Sequence, residues 1–134
     1  MKIGKLDIFN FILNGKVLGI ELGEHKDDLI KKIGSPIYYE PQKKKNKGIL
    51  NYGKLNIYIY DDTISSFSFN HFLSGYDLDL CKINLHEIIV FLNQNGISFD
   101  FKESNDKDEL DFIFLKKYQL GFSDGLLCYF WAET

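Results

Sequence analysis

The groups in this chain that could do chemistry are 19 carboxylates, three histidines and two cysteines. His25, His71 and His86 stand alone, with no second histidine or cysteine at metal-ligand spacing. His25 reads as a helix-start residue and His86 as an exposed helix residue. Cys81 and Cys128 match no ligand pattern and read as two ordinary thiols of a reducing compartment. A disulfide between them requires the fold to bring them together. Asp77 and Asp79 share a face if residues 76–82 are extended, but two carboxylates are too few to cage calcium or magnesium. Asp61-Asp62 reads as a turn before an acid–base pair. Glycine-rich phosphate loops, nucleophile elbows and deaminase signatures are missing. These residues point to a binding protein rather than an enzyme, with no metal and no cofactor.

The acids near the C-terminal end are a different case. Glu103, Asp106, Asp108, Glu109 and Asp111 put five carboxylates into nine residues, relieved only by Lys107. Such a run is either a solvated loop or an electrostatic docking surface for a basic partner. As a docking surface it speeds encounter and rejects wrong partners more than it adds affinity. The charge is polarised along the chain. Residues 1–60 hold 11 lysines against six acids, and residues 61–134 hold five lysines against 13 acids. The formal total of −3 disfavours non-specific nucleic-acid binding. All 16 basic residues are lysine, so bidentate arginine clamps are lacking. Asp7 interrupts the one early apolar run, so no signal peptide is read, and no run approaches the roughly 18 apolar residues of a membrane span. The expected location is the cytoplasm, away from membranes.

The elements that position these groups follow from periodicity. Residues 19–36, GIELGEHKDDLIKKIGSP, predict an extended entry, a short helix and a sharp stop. Asp27 and Asp28 suit the positive end of that helix, and Lys31 and Lys32 the negative end. Leu29, Ile30 and Ile33 share a face, Gly34 ends the helix and Pro36 prevents its resumption. His25 is a weak N-cap residue. Upstream, residues 5–14 predict a helix with Leu6, Phe9 and Leu13 on its apolar stripe, widened by Ile8 and Ile12, with a strand over residues 7–13 as the alternative. Residues 37–40, 49–52, 55–60 and 64–69 predict strands, with a basic turn over residues 41–48. With Leu55, Ile57 and Ile59 facing the helix, Tyr58 and Tyr60 face away. A two-residue turn at Asp61-Asp62 would bring Ser66 and Ser68 inward. A three-residue turn would bring in Phe67 and Phe69, and is expected because it buries more apolar area.

The second half repeats this order. Asn84 caps a helix over residues 85–93, with Glu87 placed to reciprocate. Gly96 stops it, residues 97–102 alternate as a strand with one dry face, and residues 110–115 form another. A hairpin over residues 118–122 and 126–131 turns on Asp124-Gly125, a type I′ signal. Shifted by 63 positions, Leu55, Ile57, Ile59, Asp61 and Phe67 fall on Tyr118, Leu120, Phe122, Asp124 and Phe130. The chain therefore predicts one α+β domain over residues 1–134, with repeat units at about 16–69 and 76–134. Placed side by side, the units give a curved antiparallel sheet with helices on one face. The other face is open, concave and partly aromatic.

The segment from Leu18 to Gly23, the short helix, Ile33 to Pro36, Leu50 to Gly53 and residues 55–62 resembles small bacterial immunity proteins of polymorphic or contact-dependent toxin systems. The helix–hairpin unit is also similar to the repeat of β-lactamase-inhibitor-like proteins and to small outer-membrane assembly lipoproteins. The resemblance implies a protein that neutralises a cognate toxin domain, of nuclease type, by masking its active site or substrate cleft. Interface residues in such proteins vary with the partner, so none carries over. The residues expected to bind are Tyr58, Tyr60, Glu103, Asp106, Asp108 and Glu109. A small enzyme or ligand-binding protein using the concave face is the alternative, as is an inhibitor or assembly module with another target.

Overall fold

A computed structural model describes residues 1–42, 46–75, 78–106 and 108–134. Lys43 to Lys45, Tyr76, Asp77 and Lys107 lie outside the described residues, and with them part of the basic turn and the Asp77–Asp79 pairing. The described residues form three helices: α1 (Lys5–Asn14), α2 (Lys26–Ile33) and α3 (Leu85–Gln94). Two short strands, β1 (Lys2–Ile3) and β6 (Asp79–Leu80), pair in parallel. Eight more strands form one antiparallel sheet: β2 (Tyr38–Pro41), β3 (Gly48–Asn51), β4 (Leu55–Tyr60), β5 (Thr63–Asn70), β7 (Asp100–Lys102), β8 (Asp111–Phe114), β9 (Tyr118–Ser123) and β10 (Leu126–Glu133). Their order is β2-β3-β4-β5-β10-β9-β8-β7, an α+β fold with β2 and β7 as open edges.

That order places two four-strand meanders back to back across the β5–β10 seam. Residue pairs along the seam run from Ser66↔Glu133 to Asn70↔Tyr129. Under the 63-residue shift each pair maps onto another pair, and Ser68↔Trp131 maps onto itself, so a pseudo-twofold axis passes through that pair. The backbone repeats in detail. Asp61 and Asp62 have φ of 51° and 61°, and Asp124 and Gly125 have φ of 49° and 79°, so both hairpins close on two left-handed residues. Lys26 N–H donates to Asp62 O at 2.9 Å, and Leu85 N–H to Gly125 O at 2.8 Å. Each helix is thus tied by its first residue to the turn of its own unit.

The turn before β5 has two residues, not three, because Tyr60 pairs with Thr63. Phe67 and Phe69 are nonetheless fully buried. A β-bulge reconciles the two. Ile59 pairs with Ile64 but Tyr58 with Ser66, leaving Ser65 as an extra residue that reverses the inside–outside phase. The second unit repeats the device at Cys128, between Leu127↔Phe122 and Tyr129↔Gly121. Ser65 Oγ donates to Tyr58 O at 3.1 Å, and Cys128 Sγ to Gly121 O at 3.6 Å, so equivalent side chains brace equivalent carbonyls.

All three helices pack on one face. Leu29 and Ile33 of α2 and Ile88 and Leu92 of α3 meet Leu55, Ile57, Ile59, Ile113, Leu120 and Phe122 in one core. Ile30 and Ile89 are partly buried against it. Helix α1 has no counterpart in the repeat and lies over the seam. Phe11 sits 4.9 Å from the Phe130 ring, 5.1 Å from Tyr118 and 6.0 Å from Phe67, centroid to centroid. Its buried side is Ile8, Phe11 and Ile12, whereas Leu6 and Leu13 of the expected stripe are 76% and 49% exposed. The stripes differ because a seam between two sheet halves accepts the bulkier Phe11, while Phe9 stacks on Phe91 of α3 at 4.2 Å. Gly15 ends α1 at φ 69°, and a Cβ there would lie 2.5 Å from the Tyr118 hydroxyl.

Two caps differ from expectation. His25 caps α2 after all, its Nδ1 accepting the Asp27 N–H at 3.1 Å. Asn84 Oδ1 accepts the Glu87 N–H at 2.8 Å, but the Glu87 carboxylate reaches across to Lys5 Nζ at 2.9 Å, joining α3 to α1. The strand expected over residues 97–102 shortens to Asp100–Lys102. Ile97 and Phe99 pack against the core from the preceding connection.

The bulge yields a direct test. Ser65→Ala removes one hydrogen bond and costs about 0.5–1.5 kcal/mol. Deleting Ser65 reverses the phase of the rest of β5 and turns out Phe67 and Phe69, each worth about 1.5–3 kcal/mol of burial. Urea melts should show a small loss for the substitution and collapse of the cooperative transition for the deletion.

Candidate interaction surface

The sheet face opposite the helices follows from alternation. Inward residues of β4 are buried, while Asn56 and Tyr58 between them are half-buried and Tyr60 is exposed. The cross-strand register lines up the outward residues in rows. The central row runs Tyr38, Asn51, Asn56 and Ser68 on the first half, then Trp131, Gln119, Phe114 and Asp100 on the second. Beside it, Tyr129, Gly121, Phe112 and Lys102 form a second row across β10, β9, β8 and β7. The two halves have equivalent backbones and different outer chemistry. Asn51, Asn56 and Ser68 stand where the second half carries Phe114, Gln119 and Trp131.

The aromatic residues of the second half touch one another. Phe112 stacks with Phe114 at 5.7 Å and meets the Tyr129 ring edge-to-face at 6.1 Å. Gly121 makes this closure feasible, because a Cβ there would lie 3.0–3.2 Å from Tyr129, Leu110 and Phe112. Burial pushes the Tyr129 phenol above its ordinary pKa, and the nearby Tyr58 hydroxyl adds to the shift. The Asn56 Oδ1 atom, buried in the central row, has no hydrogen-bond partner among the described residues.

The expected binding residues fall into separate groups. Tyr58 lies on the open face of the first half, in the row that runs through Ser66 to Glu133. Tyr60 stands at the far end of β4 with Lys47 Nζ 5.0 Å from its ring centre. The acids lie in the β7–β8 connection, at the sheet end that carries the Asp124-Gly125 turn. Because β5 and β10 run antiparallel, that end is opposite the Asp61-Asp62 turn and Tyr60. Asp108 and Glu109 instead line one groove with Phe112 and Phe114. Phe112, Phe114, Tyr129 and Trp131 are not among the residues expected from the sequence to bind. The signal was the alternation within residues 111–114 and 126–133, once the bulge at Cys128 sets its phase.

Described residues on either side of the acidic connection bond to one another. Asp111 Oδ1 accepts the Ser104 N–H at 2.8 Å, and Asp106 Oδ1 accepts the Asp108 N–H at 3.0 Å. The Ser104 hydroxyl donates to Glu109 Oε2 at 3.0 Å. Between this loop and the outer side of β8 runs a groove of about 450 Å³, lined by Lys102, Ser104, Asp108, Glu109, Leu110, Phe112 and Phe114.

The cysteines occupy another place. Cys81 and Cys128 are both free and line one groove of about 300 Å³ together with His71. Burial pushes both thiols up, Cys128 to about 11, which withholds the reactive thiolate. His25 and His86 are helix residues at or next to an N-terminus, as their sequence context implies. Among the described residues, no three His, Cys, Asp or Glu side chains gather as a metal site.

No family model matches the sequence, and no curated protein matches it either. A solved structure of an extracellular protein containing an SCP domain, from Bacillus anthracis str. Ames, is similar in fold. It aligns over 84% of this chain with a TM-score of 0.52 and 11% identity. The aligned part is 43% of that protein's length, so the likeness covers under half of it. No described helix is long and apolar enough to cross a membrane.

The raised thiols give a prediction. At pH 8 a thiol of pKa about 11 is ionised in about one molecule per thousand. Iodoacetamide should leave Cys128 unmodified in the native protein and label it only on unfolding, as read by mass spectrometry of the peptides. Rapid native labelling of Cys128 would mean that the β10 bulge opens readily.

Proposed function

We propose that this chain is an immunity-type binding protein that neutralises a cognate bacterial toxin domain by covering its active site or substrate cleft. The observation that carries this reading is the aromatic half of the uncovered sheet face beside an acidic loop. Phe112, Phe114, Tyr129 and Trp131 supply large, rigid contact area, the kind of residue that dominates protein interfaces. Glu103, Asp106, Asp108 and Glu109 supply a field that attracts a basic surface. Nucleic-acid-cleaving toxins carry such surfaces to hold phosphate, so a nuclease-type toxin fits this charge. The resemblance of residues 18–62 to immunity proteins supports the same reading, and the proposed place of action is the cytoplasm of the producing cell.

The test is co-expression with a candidate toxin domain taken from the neighbouring gene. The wild-type chain should restore growth. Reversing all four acids to lysine should slow association at low salt, with the difference shrinking as salt rises, since the Debye length is about 8 Å at physiological ionic strength. Replacing Tyr129 and Trp131 by alanine should act on dissociation and weaken binding by about 2 kcal/mol or more. Full protection by both variants would remove this face from the interface and the proposal with it.

A further inference from the structure

The groove between the acidic loop and β8 has a composition that narrows what can fill it. One wall is apolar, made by Leu110 and the stacked rings of Phe112 and Phe114. The rim is anionic, made by Asp108 and Glu109, with Ser104 Oγ holding the Glu109 carboxylate at 3.0 Å. Lys102, opposite Phe112 in the β7–β8 register, is the one cation among the described lining residues. An apolar ligand would leave the carboxylates uncompensated, and a nucleic acid would meet like charge. A bare cation would meet two phenyl rings where ligand oxygens are needed.

We propose that this groove receives an arginine side chain projected by the protein partner. The inference rests on the proposed binding function and names the partner chemistry at that surface. The methylene stem covers Leu110, and the planar guanidinium lies on a phenyl face while its N–H groups fork onto a carboxylate. Lysine matches the charge but neither stacks nor forks, so arginine is preferred. At about 450 Å³ the groove also has room for the flanking backbone of the partner. Lys102 competes with the incoming guanidinium, so its removal strengthens the site.

The probe is the tripeptide Gly-Arg-Gly, titrated into the full chain at low ionic strength and followed by backbone amide shifts. Gly-Lys-Gly and the neutral isostere Gly-citrulline-Gly serve as comparisons. Shifts should cluster at residues 102–114, with the citrulline peptide weaker by about tenfold and the lysine peptide in between. Asp108→Asn with Glu109→Gln should abolish binding, and Lys102→Gln should tighten it by about twofold or more. Phe114→Leu should weaken it, with a thermal melt checking that the fold persists. Equal binding of the citrulline peptide, shifts centred elsewhere, or indifference to the Asp108/Glu109 variant would overturn the proposal. Calcium alone displacing the peptide from the groove would overturn it as well. The two readings fail separately. Arginine binding without toxin neutralisation defeats the immunity reading and keeps the groove, and neutralisation without arginine binding does the reverse.

Discussion

One extra residue in each of two strands sets the rest of this structure. A two-residue turn fixes strand phase, and alternation would then carry Ser66 and Ser68 into the core. Ser65 and Cys128 break the alternation at equivalent points, each bracing the opposite carbonyl with its own side chain. Phe67, Phe69 and Phe130 thereby face the helices. The same shift that buries Phe130 and Ala132 turns Tyr129 and Trp131 to the open face. Core and candidate binding surface thus have a single geometric cause.

The pseudo-twofold explains how a small chain builds a wide sheet and still presents an asymmetric surface. On the inner face, equivalent positions stay large and apolar: Ile57 and Leu120, Ile59 and Phe122, Phe67 and Phe130. On the outer face they diverge: Asn51 against Phe114, Ser68 against Trp131, Tyr58 against Gly121. The equivalent connections diverge in charge as well, lysines after β2 and carboxylates after β7. Packing constrains one face and leaves the other free, so specificity can concentrate on the outer face of one half. Helix α1, outside the repeat, closes the seam by seating Phe11 among Phe67, Tyr118 and Phe130.

Much of this was legible in the residues. Helix α1, strand β4 and the positions of both hairpin turns follow from periodicity and local turn chemistry, while the length of the Asp61-Asp62 turn does not. The repeat is visible because its spacing is near constant. The buried state of Phe67 and Phe69 follows from the apolar area they offer, but the bulge that delivers it does not. Ser65 carries no mark of its own, since a bulge is a property of two paired strands. For α1 the pattern was ambiguous: Leu6, Phe9 and Leu13 and Ile8, Phe11 and Ile12 are both apolar stripes, and only tertiary packing selects between them. Tyr60 and the acids read as one site along the chain. The antiparallel seam sends them to opposite ends of the sheet, and Asp108 and Glu109 line one groove with Phe112 and Phe114 instead.

The central claim is that the sheet face opposite the helices, in its second half, is the side that meets the partner. Hydroxyl-radical footprinting of the chain, free and bound to the toxin domain, tests it most directly. Phe112, Phe114, Tyr129 and Trp131 should lose reactivity in the complex while exposed Leu6 and Leu13 of α1 keep theirs. Protection of Leu6 and Leu13, with the outer aromatic rows unchanged, would contradict it.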